Sequence, residues 1–74
     1  MEFDYSKLKG LMAEKGISQK KLAKAVGISS VSLNQKLNGI TYFDAEDIVK
    51  IADYLEIEDY DCYFFTQRVW KEQN

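Results

Sequence analysis

An all-α fold, a compact bundle of about five short helices, is the architecture this sequence predicts. Three observations carry the prediction. First, one helix-start signature occurs four times: an apolar residue, a capping residue, and a second apolar residue five positions after the first. The four are Phe3-Asp4 with Leu8, Ile17-Ser18 with Leu22, Ile28-Ser29 with Leu33, and Phe43-Asp44 with Ile48. This is the hydrophobic staple, which fixes how the chain enters a helix. Second, apolar residues follow each start at helical spacing. Third, the 74 residues contain no Pro and only four Gly, and 46% are hydrophobic. That argues against disorder and for a single domain near the lower size limit for folding alone.

Taken in order, the first helix is expected from about Tyr5 to Lys15, ended by Gly16. Gly10 inside it costs roughly 1 kcal/mol relative to Ala. Ser18 caps the second helix, because its hydroxyl accepts from a free backbone N–H of the first turn. Leu22, Ala23 and Val26 follow at helical spacing, with Gly27 just past them to stop the helix and turn the chain. Ser29 caps the third helix, and Asn38-Gly39 closes it. The fourth helix should run from about Ala45 to Leu55, with Ala45, Ile48, Val49, Ala52 and Leu55 facing the core. A short fifth helix is expected around Asp59 to Phe64, and the segment from Thr66 onward is ambiguous. The expected core is Leu8, Leu11, Met12, Leu22, Ala23, Val26, Leu33, Leu37, Ile48, Ile51, Ala52 and Leu55.

The stretch from Ser18 to Gly39 is the most informative. Leu33 and Leu37 lie on one face of its second helix. At about 100° per residue, Val31 and Gln35 point nearly away from that face, with Asn34 and Asn38 beside them and Ser30 at the helix start. Ala23 lets the two helices cross closely. Two short helices, a tight Gly turn and a polar outer face are the pattern of a DNA-binding helix-turn-helix, whose second helix enters the major groove N-terminus first.

Charge is segregated in the same way. Between Lys7 and Thr41 there are seven lysines and one acid, a net of +6; from Tyr42 to the end nine acids face three bases, a net of −6. Glu2 and Asp4 bring the chain to its overall −2. The positive half holds the motif, as expected of a protein with one DNA-facing surface. The plainer reading is that the lysines solvate short helices.

In these features the chain resembles the Cro/CI-type (XRE-like) helix-turn-helix family of phage repressors and related small regulators. The residues that carry the resemblance are Gln19, Leu22-Ala23, Val26-Gly27, the polar run Ser29 to Gln35, and Asn38-Gly39. It extends from about Lys7 to Leu55. The segment Tyr63-Phe64-Phe65-Thr66 looks like that of small phage-encoded members. The resemblance implies a lambda repressor-like fold for residues 1–74, with the motif at about 18–39 and a short aromatic tail at 60–74. It also implies a pseudo-palindromic operator bound by a homodimer, each subunit reading one half-site.

Candidate site residues follow from chemistry and resemblance together. Ser30, Val31, Asn34 and Gln35 are the expected base readers. Gln and Asn pair bidentately with adenine, and Val contacts a thymine methyl. Partial burial of Val31 against the second helix is the competing reading. No Arg lies on this helix, so the commonest guanine contact is missing and an A·T-leaning half-site is expected. By resemblance Gln19, at the start of the second helix, contacts a phosphate and braces the third; the alternative is an exposed Gln with no role. Lys20, Ser29, Ser32, Lys36 and Asn38 complete the expected phosphate contacts, although Asn38 is equally a plain helix cap. Where many relatives carry bases after the motif, this chain has Ile40, Thr41, Tyr42 and Phe43. Thr41 and Tyr42 can donate to phosphate, but without a charge.

Tyr60, Tyr63, Phe64, Phe65 and Trp70 crowd the last fifteen residues. In one reading Phe64 and Phe65 cap the core; in the other Phe65, Val69 and Trp70 form a dimer interface. Cys62 is alone and His is absent, which leaves no disulfide framework and no Cys/His zinc site within one chain. No metal, cofactor or small-molecule ligand is expected. No signal peptide or membrane-spanning stretch is apparent, so a cytoplasmic protein is expected. With no His, no Gly-rich phosphate loop and no nucleophile–base pair, an enzyme is not expected. The leading expectation is a sequence-specific transcriptional regulator that binds double-stranded DNA. The alternative is a protein-interaction module of the antitoxin or anti-repressor type that uses the acidic C-terminal half.

Overall fold

Five helices follow one another along the chain in a computed structural model that describes residues 3–67: α1 (Ser6–Glu14), α2 (Gln19–Val26), α3 (Ser30–Leu37), α4 (Ala45–Leu55) and α5 (Tyr60–Phe64). The all-α class expected from the sequence is the observed one. Side-chain caps start four of the helices. Ser18 Oγ accepts from the Lys21 N–H at 3.1 Å, and Ser29 Oγ from the Ser32 N–H at 3.0 Å. Asp44 and Asp59 accept from the N–H groups of Asp47 and Cys62 at 2.9 and 3.1 Å. Each such cap satisfies a donor that the helix itself leaves unpaired.

The start of α1 corrects the sequence expectation. Asp4 Oδ1 accepts from the Ser6 backbone N–H at 2.9 Å and from the Ser6 hydroxyl at 2.6 Å. This closes a local turn and delays the helix to Ser6. Tyr5 takes the cap position with no side-chain cap bond. Its ring is buried instead, edge-on to Phe43 with centroids 5.1 Å apart.

The first four helices end alike. The N–H groups of Ile17, Ile28, Ile40 and Ile57 reach back to the carbonyls of Met12, Ala23, Gln35 and Ala52 at 2.8 to 3.0 Å. This six-to-one closure requires a left-handed residue just before each isoleucine. At the α2–α3 turn Gly27 supplies it, with φ 89° and nothing within 4 Å of where a Cβ would stand. At the end of α4 the same place is held by Glu56 at φ 61°, the one non-glycine at positive φ among the described residues. Gly-Ile-Ser occurs twice, at 16–18 and 27–29. Each copy closes one helix, inserts an isoleucine and caps the next helix, so only three residues separate α2 from α3.

α2 packs against α3 and α4, and α1 packs against α5. Between them the core gathers Leu8, Met12, Leu22, Ala23, Val26, Leu33, Leu37, Ile48, Ile51, Ala52 and Leu55, as expected from the sequence. Leu11 is only half-buried, packed on the edge of this cluster. On α4 the expected face was misplaced: Ala45 and Val49 are exposed. The buried stripe is Ile48, Ile51, Ala52 and Leu55, and at about 100° per residue Val49 lies well to its side.

Three core residues were not expected, Tyr5, Phe43 and Ile57, and a fourth, Phe64, was expected there only in the reading that has it cap the core. Phe43 joins Tyr5 on one side and Phe64 on the other, edge-on in both cases, the second at 5.9 Å. Phe64 is 1% exposed, and burying such a side chain contributes roughly 1.5–3 kcal/mol. The reading of Phe64 as part of the core is therefore the observed one. Phe65 is 43% exposed and packs edge-on to Phe3 at 5.8 Å. Beyond α5 the Asp4 N–H donates to the Thr66 carbonyl at 2.7 Å, and Phe3 pairs antiparallel with Gln67 in a single β-bridge. The two ends of the described chain thus clasp α5 to the start of α1. No helix among the described residues is long and apolar enough to cross a membrane.

Candidate functional site

The outer face of α3 is built by exclusion. Leu33 and Leu37 are fully committed to the core, and the helix period turns Ser30, Val31, Asn34 and Gln35 outward, where all four are exposed. Val31 is 68% exposed, so most of its side chain stands clear of the rest of the fold. A valine held in water at the centre of a polar face gives up burial that would otherwise stabilise the fold. Ser32 is half-buried, and its N–H is taken by Ser29 Oγ. Ser29 itself is exposed. Ile40 and Tyr42, in the loop after α3, are 70% and 67% exposed, and Thr41 is exposed between them. Lys20, Lys21 and Lys24 are exposed along α2.

The amides of this surface are not independent of one another. Asn34 Nδ2 donates to Gln19 Oε1 at 3.0 Å. Asn38 Nδ2 donates to Asn34 Oδ1 at 3.1 Å. Lys9 Nζ donates to Asn38 Oδ1 at 3.1 Å. Four side chains from α1, α2, α3 and the cap of α3 form one continuous hydrogen-bonded line. Gln19, expected to brace α3, is bonded to it here through Asn34. Asn34 uses both ends of its amide inside the line. Lys9 had no assigned role in the sequence reading, because nothing in its spacing ties it to α3.

Lys36 is a correction. It was expected to hold phosphate, but its ammonium turns inward. Nζ lies 3.2 Å from Asp47 Oδ2 and donates to the Tyr42 carbonyl at 3.0 Å, and the Lys36 and Asp47 side chains are only 14% and 11% exposed. The pair ties α3 to α4 across the loop 38–44. Its acidic partner also sets the neighbouring cap. The Asp47 backbone N–H donated to Asp44 holds the Asp44 carboxyl below its ordinary value, with smaller help from the charges of Lys36 and Lys50. No simple sequence signal marks this pair, since its members are eleven residues apart on different helices.

Elsewhere the surface is of another kind. Two open grooves, about 490 and 360 Å³, flank the α4–α5 corner. The first is lined by Val49, Asp53, Ile57, Glu58 and Tyr60 among others, and neither includes a residue of α3. Cys62 is a free, half-buried thiol 3.6 Å from Lys7 Nζ. Of the expected dimer contacts, Phe65 is half on the surface and half on Phe3, while Val69 and Trp70 lie outside the described residues. No cluster of three or more His, Cys, Asp or Glu suited to a metal ion occurs among the described residues.

No protein of curated function matches this sequence. A family model does, over residues 1–67, and its description is a protein of unknown function, DUF739; the chain belongs to that family.

Proposed function

We propose that the protein is a sequence-specific transcriptional regulator that binds double-stranded DNA, of the Cro/CI helix-turn-helix type found in small phage repressors. The observation that carries this reading is Val31: an apolar side chain 68% exposed, centred on a face otherwise made of Ser30, Asn34 and Gln35. In water it contributes less to the fold than a buried valine does. Against a thymine methyl in the major groove it is buried, while Gln35 pairs with adenine beside it. The lysines of α2 and the near absence of acids from Lys7 to Thr41 support the same face, because phosphate neutralisation releases counterions and drives association.

In this mechanism α3 lies in the major groove with its N-terminal turn against the bases. α2 crosses the backbone, with Gln19 and Lys20 at the phosphates. Ser30, Val31 and Gln35 supply sequence discrimination. Thr41 and Tyr42 add uncharged contacts beyond α3. Binding as a homodimer matches two half-sites about one helical turn apart. Occupancy of such a site excludes polymerase.

Selection from a randomised duplex pool at near-physiological salt tests the reading. Enrichment of a two-fold-symmetric, A·T-leaning site is the expected result. A folded protein that enriches nothing refutes it, and turns attention to protein partners of the acidic α4–α5 surface.

A further inference from the structure

The two open grooves at the α4–α5 corner meet along a ridge, Glu56, Ile57 and Glu58, which lines both of them. In the larger, of about 490 Å³, Val49, Ala52, Ile57 and Tyr60 supply an apolar floor beside the carboxylates of Asp53, Glu56 and Glu58. The walls are fixed. The Ile57 N–H donates to the Ala52 carbonyl at 2.8 Å and pins the corner. The Tyr60 ring packs edge-on to Phe64 at 6.2 Å. Val49 and Tyr60 nevertheless remain 54% and 37% exposed. The charge of this groove is not neutralised from within. Lys50 is the one base in its lining, and its ammonium lies 3.3 Å from Glu46, which does not line the groove. Glu56 makes only a loose pair with Lys15, at 3.8 Å. Asp53 and Glu58 are exposed and pair with no base among the described residues. The acids do not converge either, since no three among the described residues are grouped to hold a metal ion.

We propose that this groove takes an arginine-bearing segment of another protein, whose apolar side chain sits on Val49, Ile57 and Tyr60 while its bases reach Asp53, Glu56 and Glu58. The match is one of charge and spacing: separated carboxylates beside an apolar floor suit separated bases that flank an apolar side chain. Arg fits better than Lys, because its planar fork pairs with a carboxylate bidentately and stacks on a ring such as that of Tyr60. A small ligand fits poorly, since such sites enclose about 70–90% of their ligand and this groove is open. The lysine row of a second copy fits poorly too. Lys20, Lys21 and Lys24 have only Ala25 as an exposed apolar neighbour on α2, too small a side chain to cover the floor. Neither groove includes a residue of α3, so the site is separate from the face proposed to bind DNA.

The test titrates the full chain with capped synthetic peptides, each carrying one tryptophan and two arginines at varied spacing, at about 0.15 M salt. Backbone amide resonances of the protein and anisotropy of a labelled peptide read the binding. The best peptide should saturate, with shifts centred on Val49, Asp53, Ile57, Glu58 and Tyr60 and none on α3. Replacing its tryptophan by alanine should cost at least about fivefold. Asp53→Asn and Glu58→Gln, both at exposed positions, should each weaken it by about threefold. Val49→Ser should weaken the tryptophan peptide and leave its alanine counterpart unchanged. Glu56→Gly removes a carboxylate and a left-handed non-glycine together. It should weaken the peptide by about threefold while raising the melting temperature, a pair of effects that loss of folding cannot produce.

No saturation by any peptide up to about 1 mM overturns the site. Equal binding by the tryptophan and alanine peptides, or shifts spread over the acidic surface at large, overturns it in favour of bare charge attraction. Shifts of Val49 and Tyr60 on dilution of the protein alone overturn it in favour of a second copy. All of these are read without DNA, so the DNA-binding reading stands or falls separately.

Discussion

Replacing Lys36 by Met separates two roles that a surface lysine and a paired lysine would play. In the structure the Lys36 ammonium lies 3.2 Å from Asp47 Oδ2 and also donates to the Tyr42 carbonyl. Lys36→Met keeps the aliphatic stem but strands a carboxylate that is 8% exposed as a residue, and leaves the carbonyl without this donor. Breaking a fully buried pair from one side costs about 3–5 kcal/mol, and an exposed pair about 0–1. Side chains 14% and 11% exposed keep some water at the pair, which sets the expected loss between those limits, at about 2 kcal/mol. For a domain of 74 residues the whole stability is on the order of 4–11 kcal/mol, so the loss is a large share of it. The melting temperature should fall by about 8–16 °C.

Urea titration of wild type, Lys36→Met, Asp47→Leu and the double variant measures the pair directly. The double variant should recover most of the loss, because it removes both buried charges. The salt slope of DNA binding for Lys36→Met should equal that of wild type. Two results would refute the reasoning: a coupling energy below about 0.5 kcal/mol, the size expected of a surface pair, or a slope lowered by about one phosphate contact. The second would return Lys36 to the phosphate surface where its sequence position puts it.

Three further outcomes follow from the same geometry. Glu56→Gly should stabilise the protein by about 0.5–1 kcal/mol in thermal unfolding, since it removes left-handed strain at φ 61° and costs part of that back in chain entropy; the ion pair it loses with Lys15, at 3.8 Å and with the Glu56 side chain 84% exposed, contributes little. Asp44 has a folded-state value depressed below 3.8, so the stability it contributes is fully present above that pH and is lost as pH falls through the lower folded value. Asp44→Asn, which still caps α4, should flatten that part of the acid-denaturation curve, and an unaltered curve would show that the cap carries no such linkage. Val31→Ala should leave urea stability within about 0.5 kcal/mol while relaxing discrimination at one A·T position of the selected site, read by competition with single-base variants; a large stability loss would mean that Val31 is structural after all.

Much of this protein is legible in its sequence because the information is local. Helix ends depend on a residue and its neighbours within one turn. Ser18, Ser29, Asp44 and Asp59 sit where their side chains reach the next free N–H, and Gly27 sits where the chain must turn left-handed. The outward direction of Val31 and Gln35 follows from the helix period once Leu33 and Leu37 are known to be apolar. Asp4 shows the limit of local reading, because two local hydrogen-bonding options competed there and the turn to Ser6 won.

What only the tertiary structure decided depends on residues far apart in the chain. The burial of Tyr5, Phe43 and Phe64 arises because aromatics from the cap of α1, the α3–α4 loop and α5 meet edge-on across the packed helices. Ile48 and Val49 are both apolar, yet Ile48 packs in the core and Val49 is exposed. The inward turn of Lys36 needs Asp47 from another helix, and the line from Lys9 to Gln19 joins α1, α2 and α3 through side chains with no sequence periodicity in common. Caps and helix faces are set by interactions within a turn and are written in the sequence. Charge pairing and amide orientation are set by which helices touch, and they exist only once the chain has folded.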